Sequence, residues 1–441
     1  MLKKYFLLSI LACLLVSPVF SQARFDINSP ISRDGIGQLH DNQPVRNIGM
    51  GGTGIANGHQ DYINFQNPAL LGTRRGLLRD RSTKYTKWEA SLYNFNNQYR
   101  SPELDASGNT INFNQFSYLF PIGHRWATAI SLNPFSHVNY NIHSTTSEGD
   151  ANELQLNERG HGGLYQASFM NSFNLTRNFS AGFQTSYIFG RIRHERFVGS
   201  TSQAILDKFG TVENNHYRGF MFKPGLSYRG KIRYKSGEAR DSIYFNMGVT
   251  YEFFSSINVQ TETHMQTRSP LENIHSDSII GTSTGIANFP SALRGGISFD
   301  KLGRWSVAAD VAYTPWSEFF APGQNGILTD QVKMSVGGEY YTTSRRGDLR
   351  NIPIRAGASY SRGHLEYNGT DLHDISLSLG TSIPVGRPDP VDKVRPLSQI
   401  NLALVGGHRS TFAGDGLRER YVNLFAGILI NDKWFKRRRI N

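Results

Sequence analysis

From about residue 84 onward, the sequence repeats one pattern: ten to twelve residues in which apolar and polar side chains alternate, followed by a turn. In "RWSVAADVAYT" the apolar face carries Trp305, Val307, Ala309, Val311 and Tyr313. A period of two indicates a β-strand with one face in an apolar medium. Strands of soluble proteins average about 5–6 residues, whereas a tilted strand needs about 9–11 residues to cross a bilayer. The pattern therefore predicts an all-β transmembrane barrel.

The alternating segments number fourteen, an even number that lets an antiparallel barrel close without an open edge in hydrocarbon. They start near Trp88, Ile111, Trp126, Tyr165, Phe179, Phe220, Ile243, Leu293, Trp305, Val332, Ile352, Ile375, Leu397 and Val422. Short turns alternate with long polar loops at about 135–160, 192–215 and 255–288. We predict a 14-stranded antiparallel barrel over residues 84–432, followed by a basic tail over 433–441.

The first 21 residues have the features of a secretory signal peptide. Lys3 and Lys4 precede an almost wholly apolar run, and Ser21 suits the last position before cleavage. An uncleaved anchor is the alternative, but the run is shorter than the ~20 residues that a bilayer requires. Lipoprotein processing at Cys13 is a second alternative, although apolar sequence follows that cysteine. Cleavage after Ser21 would remove the only cysteine, so no disulfide or thiol site is expected.

Composition fits export to an outer membrane without proving it. The chain is 38% hydrophobic and 12% aromatic and contains 44 glycines, values that a secreted soluble β-protein also shows. The formal charge is +12. For an exported chain this charge favours outer membrane lipid and lipopolysaccharide phosphates as partners, and no nucleic acid. The basic clusters at 74–87 and at the C-terminus equally suit solvated ends that face the periplasm.

The segment 22–83 precedes the first strand and contains "RNIGMGGTGIANGHQDYINFQNPALLG". Fourteen strands enclose a bore too wide for wall side chains to fill, so we predict that this segment is a plug, or hatch, in the lumen. Its glycines permit close backbone approach. Asn67 suits an N-cap, Pro68 the first helical position and Gly72 the end of a short helix.

This segment resembles the N-terminal hatch of the FadL family of outer membrane transporters. The matching residues are Gly49, Gly51, Gly52, Asn67, Pro68 and Ala69. The resemblance implies uptake of hydrophobic compounds such as long-chain fatty acids, with a hatch that shifts and a lateral exit through the wall. A similar motif occurs in PorV-like barrels of a protein secretion system, which implies the alternative of a partner-binding barrel without small-molecule transport. A passive polar porin is a weaker third reading, because the plug disfavours an open bore.

Two further features are candidates for functional sites. Pro224 lies within a predicted strand although proline cannot donate to a ladder, which indicates either a bulge or shorter strand, or a kink that opens the wall. In "SQAILDKFG", Ile205, Leu206 and Phe209 form either an apolar helical face at the pore mouth or ordinary loop packing.

Sequence signals for enzyme chemistry are weak. "GMGGTG" follows no apolar strand and precedes no GK[ST], which argues against nucleotide binding. The sequence contains no HExxH, and its histidines do not pair at metal-ligand spacings. We expect no enzyme activity, cofactor or metal. The expected partners are hydrophobic small molecules and, in the alternative, a protein bound through the outer loops.

Overall fold

A computed structural model describes residues 29–59, 62–71, 86–101, 104–123, 125–147, 153–200, 207–233, 242–301, 303–322, 328–342, 352–367, 369–386, 398–411 and 416–432. The predicted signal peptide, the predicted tail and part of the predicted hatch lie outside them. The strands are β1 (Gln38–Leu39), β2 (Thr86–Ser101), β3 (Leu104–Pro121), β4 (Trp126–Ser147), β5 (Glu153–Asn174), β6 (Phe179–Ser200), β7 (Lys208–Arg233), β8 (Ile243–Phe254), β9 (Ile257–Arg268), β10 (Ile274–Ala287), β11 (Ala292–Lys301), β12 (Trp305–Thr314), β13 (Gln331–Tyr341), β14 (Pro353–Tyr367), β15 (Thr370–Val385), β16 (Ser398–Ser410) and β17 (Arg418–Asp432).

Helical structure in the described residues is confined to single turns. They are α1 (Val45–Ile48) and three 3-10 turns, Pro30–Arg33, Pro68–Leu70 and Trp316–Glu318. None of these turns has the length or the apolar content to cross a membrane as a helix.

Fourteen of the strands close into one antiparallel ring. β2 to β8 and β11 to β17 each pair with their neighbours along the chain, β8 pairs with β11, and β17 pairs with β2. β1, β9 and β10 stand outside this ring. The predicted segments correspond one to one with the ring strands, which confirms the 14-stranded transmembrane barrel.

Along the ring strands, apolar side chains that face outward alternate with polar side chains that face inward, as a membrane barrel requires. In β17, Val422, Leu424 and Ile430 are 54%, 50% and 47% exposed on the outside, whereas Asn423 and Asn431 are buried inside. The other ring strands follow the same rule, with apolar side chains outward and many serines, asparagines and glutamines inward. Because hydrocarbon cannot hydrogen-bond to the backbone, only the closed ladder permits this arrangement.

The three predicted long loops are largely strands, which corrects the sequence prediction. β4, β5 and β6 have 22 residues each and β7 has 26, and the predicted loop 255–288 contains the hairpin β9–β10. We call the parts beyond the apolar band the crown: residues 136–147, 153–163, 190–200, 208–218, 257–268 and 274–287. Many crown segments, such as "QTETH" in β9, are polar on both faces. They therefore carry no alternation, and ladder pairing with neighbours makes them strands.

The N-terminal segment lies inside the ring, and every residue from Gln43 to Gly58 is buried. Above it, Ile31 and Ile36 belong to a large apolar core with Phe135, Trp316 and Leu328. Below it, a second core joins residues of the segment to wall residues near the short turns: Tyr62, Ile63, Phe65, Leu71, Leu119, Met170 and Leu429. Apolar packing thus fixes the segment towards both ends of the lumen.

A charge placed on the outer face of a ring strand tests this orientation. Leu424→Arg is expected to lower the free energy of unfolding by about 2–4 kcal/mol, because the guanidinium would face hydrocarbon. Thr282→Arg, on the exposed crown strand β10, is expected to stay within about 0.5 kcal/mol. Urea unfolding in lipid vesicles measures both. Equal effects of the two substitutions would contradict a lipid-facing β17.

Candidate functional site

The Asn-Pro-Ala motif fastens the N-terminal segment to the wall. The side chain of Asn67 accepts a hydrogen bond from the Ala69 amide at 3.0 Å, which caps the short turn, and it donates to the Leu226 carbonyl of β7 at 3.1 Å. The hydroxyl of Ser172 on β5 donates to the Ala69 carbonyl at 3.1 Å. The predicted N-cap role of Asn67 agrees with this geometry, although the turn is a 3-10 turn. Gly72 lies outside the described residues.

Opposite the segment, the wall presents glycines, which we call the glycine collar. They are Gly182 on β6, Gly225 on β7, Gly248 on β8, Gly296 on β11, Gly337 on β13, Gly357 on β14 and Gly380 on β15. Six of them form three directly opposed cross-strand pairs, Gly182 with Gly225, Gly248 with Gly296, and Gly337 with Gly357. The collar therefore follows the inner wall around much of the ring.

The glycine collar allows backbone to pack directly on backbone. A methyl group at Gly337 would overlap the Met50 carbonyl, and one at Gly357 would overlap the Gly51 amide. On the segment side, Gly51 and Gly52 adopt φ values of 68° and 88°, which L-residues with side chains rarely adopt. The glycines in the hatch motif and those in the wall thus serve one close contact.

Polar wall side chains also hold the segment's main chain. One carboxylate oxygen of Asp310 on β12 accepts hydrogen bonds from the amides of Gly54 and Ile55, at 2.6 and 2.9 Å. The amide of Gly51 donates to the Ser378 hydroxyl at 2.8 Å. These bonds satisfy amides that a helix or strand would otherwise satisfy, so the irregular segment remains stable within the lumen.

A buried ionic network joins the segment to β13 and β14. Glu339 lies between Arg46 of α1 and Arg355, with N–O distances of 2.9 and 2.6 Å. Arg355 also donates to the Tyr62 hydroxyl at 2.7 Å. Burial raises the pKa of that Tyr62 hydroxyl. The three charged side chains are 0–2% exposed, so each charge depends on its partners.

A cavity of about 360 Å³ lies between part of the segment and the wall. Phe95, Phe135 and Phe425 are among its apolar lining residues. Its lining is also rich in ionisable side chains: His40, Asp41, His137, Lys223, Glu252, Arg294, Asp310, Lys333, His364, Asp374 and Arg409. Several of them are paired, and Glu252 binds Lys223 and Arg294 at 3.0 and 2.8 Å. The space is therefore mixed in character rather than a continuous apolar pocket.

The wall has a seam between β3 and β4. Their ladder covers only Phe116–Pro121 of β3, and β4 shifts register against β5 at Pro134–Ser136. Beyond this point β1 pairs with β4, and the His40 ring contacts the Asn114 amide oxygen of β3 at 2.9 Å. The N-terminal segment thus fills the seam at the border between the apolar band and the crown.

The remaining predicted site residues fall elsewhere. Pro224 pairs with Phe183 in the β6–β7 ladder, while the β7–β8 ladder lacks pairs for Lys223 and Pro224. The interruption at Pro224 is shorter than the one at the β3–β4 seam. Phe209 lies in β7, 63% exposed, so it forms no helical face, because the crown ladder extends the strand to Lys208. Ile205 and Leu206 lie outside the described residues.

Sequence reasoning missed most of the wall side of this site. Glu339, Arg355 and Asp310 sit at inward positions of their strands, where the alternation predicts only polarity. The glycine collar leaves a detectable signal, because glycines recur at lumen-facing positions of successive strands. Among the described residues, no group of three or more histidine, cysteine or acidic side chains could hold a metal ion.

Fold and lumen together define a class: a closed transmembrane β-barrel of outer membrane type whose lumen holds part of its own N-terminal segment. The family described as BamG matches residues 1–441. The chain belongs to the BamG family. No curated protein matches the chain.

Solved structures with this fold include hydrocarbon channels. The CymD monoaromatic hydrocarbon channel is 14% identical, with a TM-score of 0.54, covering 91% of this chain and 100% of that one. The Pseudomonas putida toluene transporter TodX is 16% identical, with a TM-score of 0.55 and coverage of 89% and 98%. A Pseudomonas aeruginosa FadL homologue is 13% identical, with a TM-score of 0.52 and coverage of 89% and 98%. The predicted FadL-like character is thereby confirmed for the fold.

The glycine collar is testable with neighbouring residues on one strand. Gly337→Ala is expected to weaken seating of the segment by about 1–3 kcal/mol, because its methyl group would meet Met50 backbone. Gly338→Ala, whose methyl group would meet only ordinary contacts, is the control. Hydrogen exchange of the Gln43–Gly58 amides should accelerate in the first variant alone. Unchanged exchange in Gly337→Ala would show that the seat tolerates side chains.

Removal of the shared carboxylate tests the ionic network. Glu339→Ala is expected to destabilise the protein by about 3–5 kcal/mol, because two buried guanidinium groups would lose their counter-charge. Glu262→Ala, at a partly exposed position of β9, should change stability by less than about 0.5 kcal/mol. Equilibrium unfolding in lipid vesicles measures both variants. If the unfolding midpoint of Glu339→Ala equals that of the wild type, the ionic network contributes little to stability.

Proposed function

We propose that this chain is an outer membrane barrel that binds another protein through its crown and passes no solute through its lumen. The observation that carries the proposal is the close packing of the N-terminal segment against the wall, through the glycine collar, the ionic network and the outer apolar core. In this proposal the segment acts as a fixed plug, whereas the FadL resemblance implies a hatch that shifts. Residues 1–21 act as a cleaved signal peptide, and lipopolysaccharide phosphates contact the basic surface.

The lining of the cavity supports this proposal. An apolar solute gains free energy when it leaves water for apolar surroundings, but here it would meet the charges of Lys223, Glu252 and Arg294. Desolvating paired charges without new partners costs free energy. A site for hydrophobic ligands is usually lined by apolar and aromatic side chains with few polar groups. The lumen therefore fits a sealed interior better than an apolar passage.

The crown supports the second half of the proposal. Six adjacent strands continue well beyond the apolar band, and ladder pairing orders them along their length. A transporter has no evident need of a rigid sheet standing above its mouth. An ordered, mostly polar surface of this kind suits recognition of another protein.

Uptake of hydrophobic compounds is the second candidate, favoured by two observations. The fold is that of the hydrocarbon channels CymD and TodX, and the β3–β4 seam offers a lateral exit towards the bilayer. In this reading the segment from Gln38 to His40 must leave the seam for a ligand such as a fatty acid to pass. A role as an enzyme has no support in the site, and we propose none.

Transport measurements separate the two candidates. In planar bilayers the wild-type barrel is expected to show no ion conductance, whereas deletion of Gln22–Arg75 should leave a folded and conducting barrel. Vesicles that contain the wild type should take up labelled oleate or toluene no faster than protein-free vesicles. Saturable uptake by the wild type that is lost when residues 38–40 are crosslinked to β3 would establish the channel instead.

A further inference from the structure

We propose that the free edge of β10 binds an extended polypeptide segment of another exported protein by adding it as a strand to the crown. This inference rests on the proposed function, because it names the part of the crown that takes the partner. It depends on four features: an unoccupied backbone edge, the composition of that edge, its rigidity and the geometry of the membrane.

The first feature is the row of backbone groups along β10. One edge of β10 pairs with β9 along its length. Among the residues that the structure describes, no strand pairs with the other edge; beyond its end Asn288 forms a bridge with Phe320, and Gly285 near that end lies against Pro322. Every residue from Ile274 to Thr284 is exposed. Since the N–H and C=O groups of a strand point alternately to its two edges, about half of those groups face water.

The second feature is the composition of this edge. Natural proteins protect edge strands with proline, lysine, inward charges or bulges. The stretch 274–284 contains no proline, lysine or arginine. Its Asp277 is paired with His264 at 2.9 Å, and His275 with Asp207 at 2.8 Å. Register shifts at His275 and Ile280 interrupt the β9–β10 ladder, yet rows of backbone groups remain on both sides of Ile280.

The third feature is that the hairpin is anchored. Glu272 in the β9–β10 turn accepts a hydrogen bond from Lys208 at 3.0 Å and pairs with Arg159 at 3.5 Å. Although burial alone would raise it, the Lys208 hydrogen bond and the Arg159 charge hold the pKa of Glu272 below its ordinary value. Arg268 bridges Glu272 to Glu195 of β6. A strand that is already ordered loses little entropy when a partner binds.

The fourth feature excludes a second copy of this chain as the occupant. Two copies in one bilayer keep the same orientation along the membrane normal, so their β10 strands would run in the same sense. A two-fold axis along the normal would place the same residues opposite each other, donors facing donors, which a parallel ladder does not allow. A copy with the opposite orientation, facing the crown from outside the membrane, would have its apolar band in water. A separate extended segment has neither restriction.

Side chains beside the edge indicate what that segment carries. Ile279, Thr282 and Thr284 are uncharged and β-branched, and each is exposed. Cross-strand pairs of β-branched or aromatic side chains stabilise a ladder by about 0.2–1 kcal/mol each. The partner is therefore an extended, low-charge segment of about ten residues, rich in β-branched or aromatic side chains.

Photo-crosslinking along β10 tests the register that strand addition requires. A benzoylphenylalanine is placed singly at Ser278, Ile280, Thr282 or Thr284 of the full-length protein in its native cells, and crosslinked peptides are sequenced by mass spectrometry. The expected result is one partner segment whose crosslinked residue moves steadily as the β10 position moves. Crosslinks scattered over unrelated proteins, crosslinks to a second copy of this chain, or no crosslinks would overturn the proposal.

Lysine substitutions on and off the β10 edge supply a matched test of strand addition. The double variant Ile280→Lys, Thr282→Lys is expected to lower the yield of the Thr284 crosslink at least about tenfold, because the added strand would bury two unpaired charges. Leu271→Lys, at the hairpin turn and 84% exposed, adds charge off the edge and should leave the yield unchanged. Unaltered circular dichroism shows that both variants fold. Equal yields from all three proteins would contradict strand addition.

The same photo-crosslinker, placed at His143 on the crown strand β4, separates this inference from the proposed function. A protein partner captured at His143 but absent from every β10 position would leave the crown as a docking surface and exclude the β10 edge. Failure at both His143 and β10 would remove the support for a partner-binding crown altogether.

Discussion

The closed antiparallel ladder in hydrocarbon is the constraint on which this structure depends. A bilayer offers the backbone no hydrogen-bond partner, so fourteen strands must complete one another around the ring. Closure turns the apolar side chains outward, as β17 shows with Leu424 and Ile430. It also creates the problem that the rest of the molecule resolves, because a ring of this size encloses a bore that its wall side chains cannot fill.

The N-terminal segment occupies that bore by packing its main chain closely against the wall strands. Wall glycines such as Gly337 and Gly357 remove the side chains that would hold the segment away, and its main chain rests on the strands. Buried charge then opposes movement, since Arg46 cannot leave Glu339 without giving up its counter-charge, and Glu339 would keep only Arg355. A plug held in this way costs far more to displace than one held by scattered surface contacts, which is why we favour a sealed barrel over a channel.

Beyond the membrane the same ladders serve a different purpose. Water can satisfy an open edge there, so the rule of closure no longer holds, and among the described residues the crown ends at β10 without a further strand. At the border between the apolar band and the crown, the β3–β4 seam is covered by β1 and the His40–Asn114 contact. Above the bilayer the β10 edge is left bare among the described residues. This difference makes the crown the place where a partner's backbone can be recognised.

The sequence by itself determined the ring, because period-two alternation is a local consequence of which face meets lipid. It also indicated the plug through Asn67, Pro68 and the glycines of the motif. Only the tertiary structure decided that the long polar stretches extend the strands, since a strand that is polar on both faces has no periodic signal and depends on its neighbours. The same holds for the pairing of Arg46 with Glu339 and for the β3–β4 seam. Those contacts join residues far apart in the chain, and only closure of the barrel brings them together.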